Sequence, residues 1–504
     1  MKRLAAAAAL TALLTAACGS TVQLKNQVVA GQGDGLSQST GTTGVGGTSG
    51  GALGTTGSPT GDGTGLTGGI GGTGGGSATS GSGSSGLPGS TGTTSGAGST
   101  TAGGKVGDHA PIQIGFVTTS VGNAAALGVN AGQTYTDRAM FDALVSEYNA
   151  QGGVAGHKIA PVYGDTDTAS SNWSNQFAQV CAKFTQDNHV KVVIGYIFVF
   201  LPSFESCLAK AHIPHLYGGY QPGDVVDQRS YPTMIGTGHP TVDGFDLTAL
   251  DGALRSGLLN AKTKLGLIID TCADGDRAYN SSVVPWLKAH NVNYQTVTGS
   301  CAQGASDVSG AASAISNAEL KFAASGVNLV FASAVELLVF MEDAQSQGYQ
   351  PEYLTAVGGA ALEANAPASQ MKHLHGFGWM PSVDVNPSHQ PYPQTAPQKA
   401  CIAKLVKHGL KPAQYNDFMA AYQACDGIDL YAKALAAGGS TDPQKVVDEV
   451  GSAMAAYQSA GTYAGGLRDV AHQRGGPSTY RAYAWTDSCS CVTYRGPTYP
   501  IPTP

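Results

Sequence analysis

The residues whose types and spacing bear on chemistry are few: nine cysteines, a close pair of histidines and some isolated carboxylates. Cys18 stands alone near the start. Cys181, Cys207, Cys272, Cys301, Cys401, Cys425, Cys489 and Cys491 form an even set, which in an exported chain reads as disulfides. Sequence order favours neighbours: Cys181 with Cys207, Cys272 with Cys301, Cys401 with Cys425, Cys489 with Cys491. A loop of the size closed by the first three contributes about 3 kcal/mol in the chain-entropy account. Cys489 and Cys491 also make a C-x-C pair, whose alternative use is a metal. No second close pair or nearby histidine completes zinc spacing, so no metal is assigned. His373 and His375 lie two apart on an expected strand and share a face. They lack a third ligand nearby in sequence and read as packing or surface residues. There is no G-x-S-x-G elbow, H-E-x-x-H helix, Walker loop or kinase set. A hydrolase on this chain would lack its nucleophile. No catalytic residue and no cofactor is assigned, and binding is the chemistry that remains.

The 504 residues carry a net charge of -7 and no basic cluster, which argues against nucleic acid as a partner. Met1-Lys2-Arg3 is a charged start, and the apolar run that follows it is too short to span a membrane. Leu14-Thr15-Ala16-Ala17-Cys18-Gly19 resembles a bacterial lipobox, with Thr15 where an aliphatic residue is usual. On that reading Cys18 becomes an acylated N-terminus at a membrane face. The alternative is an ordinary secretory signal with an incidental cysteine. Residues 31–104 are nearly all Gly, Ser and Thr, and about 30 of the 71 glycines precede Lys105. Such chain has nothing to bury and is expected to be a disordered tether with a reach of about 50 Å.

The positioning elements begin at Ile112. The apolar run Ile112 to Val117 reads as a strand and Thr118 to Gly122 as a polar loop. A helix then carries Phe141, Leu144, Val145 and Tyr148, stops at Gly152-Gly153, and gives way to a second strand. Val192-Val193-Ile194 is a β-branched run of the kind buried in a parallel sheet. A further strand lies near 213–217. After Pro240 the alternation repeats, with helices at 245–258, 276–290, 308–325 and 334–347 and strands at 264–270, 292–297, 327–331, 353–357 and 376–380. The Pro-rich run at 381–397 is expected to be a crossing or a surface loop. Helices follow at 399–408, 416–437 and 442–459, and strands near 480–483 and 492–494. The fold class is α/β: two Rossmann-like lobes with a ligand cleft between them, preceded by the tether.

Tyr148-Asn149-Ala150-Gln151-Gly152-Gly153-Val154-Ala155-Gly156-His157-Lys158-Ile159 is similar to the N-x-x-G-G-[IV]-x-G-[RK]-x-[IL] signature of the type 1 periplasmic-binding family, especially its leucine/isoleucine/valine receptors. Ala420 to Gly427 is similar to a late helix of the same family. The resemblance spans roughly Ile112 to Tyr494. It implies an extracytoplasmic substrate-binding lipoprotein that hands a small molecule to an ABC permease, acts as a monomer and is not an enzyme. The implied segments are 1–18 signal, 19–107 linker, 108–238 and 382–450 for lobe I, and 239–381 and 451–504 for lobe II with the tail. The alternative function is a surface sensor or scaffold that uses the same fold to contact a protein.

Ligands of doubly wound lobes sit beyond the carboxyl ends of strands, near helix N-termini. That places Thr118, Thr119, Ser120, Phe200, Ser203, Tyr217, Gly219 and Tyr220 at the first lobe's wall, and Asp274, Arg277 and Glu336 at the second's. The amino-acid receptors present small hydroxyl residues on the second and third loops, whereas here only Ser203 keeps one. This departure argues against a free α-amino acid and favours a ligand with a larger apolar or ring-containing part that aromatic side chains can stack on, within the range the resemblance implies: branched-chain amino acid-like, amide or ring-bearing. Phe200 and Tyr217 have core packing as their alternative. Asp274 and Glu336 would hold an ammonium, although Glu336 also fits the first turn of a helix, where the dipole favours a carboxylate. Arg277 would instead hold an anion.

Overall fold

In the computed structural model the described residues are 109–120, 132–195, 198–218, 223–388, 395–463, 467–470 and 473–504. The leader with Cys18, the Gly-rich tract, Gly219 and Tyr220 lie outside them.

The first set of strands is β1 (His109–Ser120), β2 (His157–Asp167), β3 (Val192–Gly195), β4 (His215–Tyr217) and β5 (Met234–Gly236). Between them run α1 (Asp137–Ala150), α2 (Trp173–Ala182), α3 (Pro202–Lys210) and α4 (Val225–Ser230). The second set is β6 (Lys264–Asp270), β7 (Asn293–Gly299), β8 (Leu329–Phe331), β9 (Glu352–Thr355) and β10 (Leu374–Gly378). It is entered through α5 (Val242–Arg255) and interleaved with α6 (Ala273–Ala278), α7 (Val284–Ala289), α8 (Val308–Ser325), α9 (Ala334–Gln347), α10 (Gly359–Asn365) and α11 (Ala368–Met371). Each set pairs in parallel, in the orders β5-β4-β3-β1-β2 and β10-β9-β8-β6-β7. These are two doubly wound lobes, as the alternation of apolar runs requires.

The local reasons are visible in the first unit. Ile112, Ile114, Phe116 and Val117 of β1 are buried, and all of β3 is buried, as in a sheet covered on both faces. Helix α1 opens where the Thr136 side chain accepts the Ala139 N–H, and it buries Met140, Phe141, Leu144, Val145 and Tyr148 on one stripe. It closes with Gly153 N–H donating to Tyr148 O at 2.7 Å. Gly153 has φ +82°, and a Cβ there would lie 1.8 Å from His157 O. The glycine of the signature is thus a steric requirement of the turn into β2.

After β10 the chain makes α12 (Pro381–Asp384), α13 (Ala396–Lys407), α14 (Tyr415–Gly438) and α15 (Pro443–Met454). Helix α12, with all four residues buried, stands at the start of the stretch expected to be a crossing or a surface loop, and the chain returns there from the second lobe to the first. Leu405, Tyr422, Ile428 and Val450 share one core with Ile114 and Leu144 of the first lobe. Strands β11 (Leu467–Val470) and β12 (Gln473–Pro477) extend that lobe's sheet beyond β5. Strand β13 (Thr479–Thr486) extends the second sheet beyond β10, antiparallel to it, and β14 (Cys491–Pro500) pairs antiparallel with β13. The last crossing, expected at 451, therefore falls between Pro477 and Thr479, because β12 pairs with β5. Among the described residues no helix is long and apolar enough to cross a membrane.

The four disulfides join the neighbours expected: Cys181–Cys207, Cys272–Cys301, Cys401–Cys425 and Cys489–Cys491. They tie α2 to α3, the end of β6 to the end of β7, α13 to α14, and the turn between β13 and β14. The C-x-C pair is a disulfide, not a ligand pair.

Candidate functional site

Loops at the carboxyl ends of the two sheets face one another. Beyond β2 and β7, Trp173 N–H donates to Gln303 O at 3.0 Å and Ala305 N–H donates to Ser170 O at 2.9 Å. Beyond β4 and β6, Arg277 of α6 reaches Asp224 and Asp227 at α4. A site built from both lobes would lie between these contacts.

The second lobe's wall holds a cavity of about 100 Å³. Its apolar lining comes from Phe245, Ile268 and Phe331, and its polar lining is Asp246, Asp270, Asp274 and Glu336. The fold explains why four carboxylates converge. Asp270 ends β6, Asp274 sits in the first turn of α6, Glu336 in the first turn of α9, and Asp246 near the start of α5. Glu336 closes a capping box: its Oε2 accepts the Ser333 N–H at 3.0 Å, while Ser333 Oγ accepts the Glu336 N–H. Asp270 Oδ1 accepts the Cys272 N–H at 2.9 Å.

Crowding acids in a partly dry pocket disfavours their charged forms. Burial, and then Asp270, push Glu336 up to about 7. Burial and Asp270 raise Asp274 to about 6. Asp270 is raised by burial against the opposing Cys272 N–H. Asp246 is held well above the carboxylate range by burial and by Asp243, Asp270 and Glu336. No basic residue lines this pocket, so a cationic group entering it would meet acids that gain by ionising around it.

The first lobe's residues are placed differently. Thr118 and Thr119 are the last buried residues of β1, which runs through Ser120 where a loop was expected. Thr118 Oγ1 donates to Asp165 at 2.7 Å, and Thr119 Oγ1 lies 3.1 Å from Thr166 Oγ1. Both hydroxyls are bonded to strand β2. Ser120 is exposed and accepts the Thr168 N–H through its carbonyl. Phe200 and Tyr217 are buried in a core cluster with Trp173, Phe177 and Phe204, which is the packing alternative. Ser203 is exposed on α3. Arg277, taken for a possible anion site, is neutralised by two aspartates. Asp274 and Glu336 are thus brought together, whereas the first-lobe residues are spread among core, strand and surface.

Two residues escaped the sequence reading. Asp137, at the start of α1, accepts the Thr119 N–H at 2.9 Å and is raised to about 6, mainly by burial. Gln423 of α14 is 3% exposed, and neither Oε1 nor Nε2 has a partner. Its amide packs over Gly218 and Gly238 and borders a recess of about 10 Å³ shared with Asp137 and Gly195, room for about one water. The signal was an amide in an otherwise apolar helical run, Ala420-Ala421-Tyr422-Gln423-Ala424. At the opposite end of the second sheet, His373 and His375 both bond Glu352, at 3.1 and 2.8 Å. Among the described residues no group of three His, Cys, Asp or Glu is arranged to hold a metal.

No curated protein sequence is significantly similar to the chain. Solved structures are similar in fold. An ABC transporter substrate-binding protein from Desulfitobacterium hafniense, in complex with Leu, matches at TM-score 0.52 and 16% identity over 76% of this chain and 100% of its own. The branched-chain amino acid transporter substrate-binding protein LivJ from Streptococcus pneumoniae, in complex with isoleucine, matches at 0.51 and 18% over 76% and 100%. A fatty acid ABC transporter substrate-binding protein from Thermomonospora curvata matches at 0.55 and 14% over 78% and 95%. Residues 111–488 match the pattern of the periplasmic binding proteins, which takes in both lobes and the acid-lined cavity. The chain belongs to the periplasmic binding protein family, of type 1 architecture.

Proposed function

We propose that this protein is an extracytoplasmic solute-binding lipoprotein. It captures a small molecule bearing a cationic nitrogen and an apolar part, and presents it to an ABC permease. The observation that carries this reading is the cavity with four carboxylates and an apolar lining. An ammonium or amidinium on the solute sits against Glu336 and Asp274, and its apolar part packs on Phe245 and Phe331. Closure follows because such a solute adds contacts that favour one of two pre-existing lobe arrangements. Family membership and the transporter roles of the structural neighbours support delivery to a permease. No catalytic step is assigned. The scaffold alternative calls for a cleft filled by Phe200, Tyr217 or Tyr220; Phe200 and Tyr217 lie in the lobe core, and Tyr220 lies outside the described residues.

The test is a thermal-shift panel on the purified mature chain, with L-leucine, L-leucinamide, phenethylamine and agmatine beside the neutral isocaproamide and 2-phenylethanol. At a concentration 100-fold above Kd a bound solute stabilises by roughly 2.7 kcal/mol, a readily measured rise in Tm. The cationic probes are expected to raise Tm and the neutral ones not. A larger rise with the neutral probes overturns the reading.

A further inference from the structure

Helix α6 does two things at once. Asp274 and Gly275 line the cavity, and Arg277, one turn further, crosses to the other lobe. Its Nε donates to Asp224 Oδ2 at 2.6 Å, and Nη2 donates to Asp224 Oδ1 at 3.2 Å and to Asp227 Oδ2 at 2.6 Å. The planar guanidinium suits this two-carboxylate grip in a way that an ammonium does not. The Asp224 and Asp227 side chains are only 1% and 9% exposed, against 37% for Arg277. Asp224 also caps α4, accepting the Val226 and Asp227 N–H groups at 2.9 and 2.8 Å. Without the arginine, two buried carboxylates would face each other across one helical turn with no other Lys or Arg paired to them among the described residues.

We propose that Arg277 is the positioning residue that clasps the lobes over the cavity, so that one short helix couples what the cavity holds to whether the lobes are shut. The proposal deepens the solute-capture reading and rests on it for its purpose. The two lip bonds, Trp173 to Gln303 and Ala305 to Ser170, lie beyond other strands and make no contact with the guanidinium. Their loop is held from behind by Cys272–Cys301 and by Asp307, which accepts the Gln303 N–H at 2.8 Å. A clasp that holds the lobes together protects these distant lip amides as well. An arginine that only steadies α4 does not.

This difference is read by hydrogen–deuterium exchange on the full mature chain without solute. In Arg277→Met, peptides covering residues 170–177 and 301–307 are expected to exchange on the order of tenfold faster, while β8 and β9 peptides are unchanged. Arg277→Lys keeps one charge and is expected to restore part of the protection. Raising NaCl from about 50 to 500 mM in the unsubstituted chain gives a reading that needs no variant, and the lip peptides are expected to speed up there too. Lip exchange that is unaltered in Arg277→Met, or unaltered by salt where that variant does not fold, overturns the clasp. Because no solute is present, that result leaves the capture reading standing, and a failed probe panel leaves the clasp standing.

Discussion

Glu336 and Asp274 are the residues at which stability and binding pull in opposite directions. In the folded chain Glu336 lies near 7, above its ordinary 4.5. The folded state therefore holds a proton that the unfolded state has lost between those two values. That contribution to stability is full below about 4.5 and is lost as pH rises through about 7. Glu336→Gln keeps the capping-box geometry and removes the titration. The variant is expected to be more stable than the parent at pH 8, by on the order of 1–2 kcal/mol, with a smaller difference at pH 5, as read by urea unfolding at both values. Equal parent-to-variant gaps at the two pH values would remove Glu336 from the account. A cationic solute needs the ionised carboxylate, so its affinity for the parent should rise from pH 5 to 8 and level off above about 7. At this scale the sequence was partly legible. Asp274 and Glu336 were picked out because helix first turns after strands are where a cleft carboxylate would stand, and the structure brings both to one cavity. Asp246 and Asp270 were not, because only the register of β6 against α5 and α9 brings them in. Thr118 and Thr119 were read as a loop, and a hydroxyl at a strand end does not disclose that the adjacent strand offers Asp165 and Thr166 as partners.

At the scale of elements the pattern of runs and stops carried most of the fold. The helices at 308–325 and 334–347 stand where their apolar spacing put them, each ending at a left-handed glycine, Gly326 and Gly348. Strands β11 and β12 escaped detection because Gln473-Arg474-Gly475-Gly476-Pro477 has no apolar alternation, and the neighbouring β5 supplies the pairing. The fate of the stop glycines separates signature from ordinary cap. A Cβ on Gly348, φ +69°, would meet nothing within 4 Å, whereas one on Gly153 would run into His157 O. Gly348→Ala is expected to lose about 1–2 kcal/mol, the left-handed penalty alone. Gly153→Ala adds a backbone clash that the α1-to-β2 turn must move to relieve, so a loss of about 3 kcal/mol or more is expected. Urea midpoints of the two variants give the comparison. Equal losses would mean that the turn is not a steric constraint, and the signature would need another explanation.

For the whole molecule, the proposed delivery to a permease raises the question of what would keep the two-lobed domain at a membrane, since no described helix is long and apolar enough to cross one. The domain supplies no strongly basic face, and its chain carries a net charge of -7, so attraction to anionic lipid is weak. On the lipoprotein reading, retention comes from the leader. A cysteine carrying a diacylglyceryl group brings two acyl chains, which suffices for stable anchoring where one does not. On that reading the Gly/Ser/Thr tract behind Cys18 is expected to act as a tether with a reach of about 50 Å, which would let the lobes open and close without dragging the anchor. Cys18→Ala, expressed in a bacterium, is therefore expected to move the protein from the membrane fraction to the soluble one, with Tm unchanged. The N-terminal peptide of the parent should begin at a Cys18 carrying the mass of the acyl groups. A parent found in the soluble fraction, cut elsewhere and with Cys18 removed or unmodified, identifies the leader as an ordinary secretory signal and leaves delivery to a permease to depend on diffusion alone.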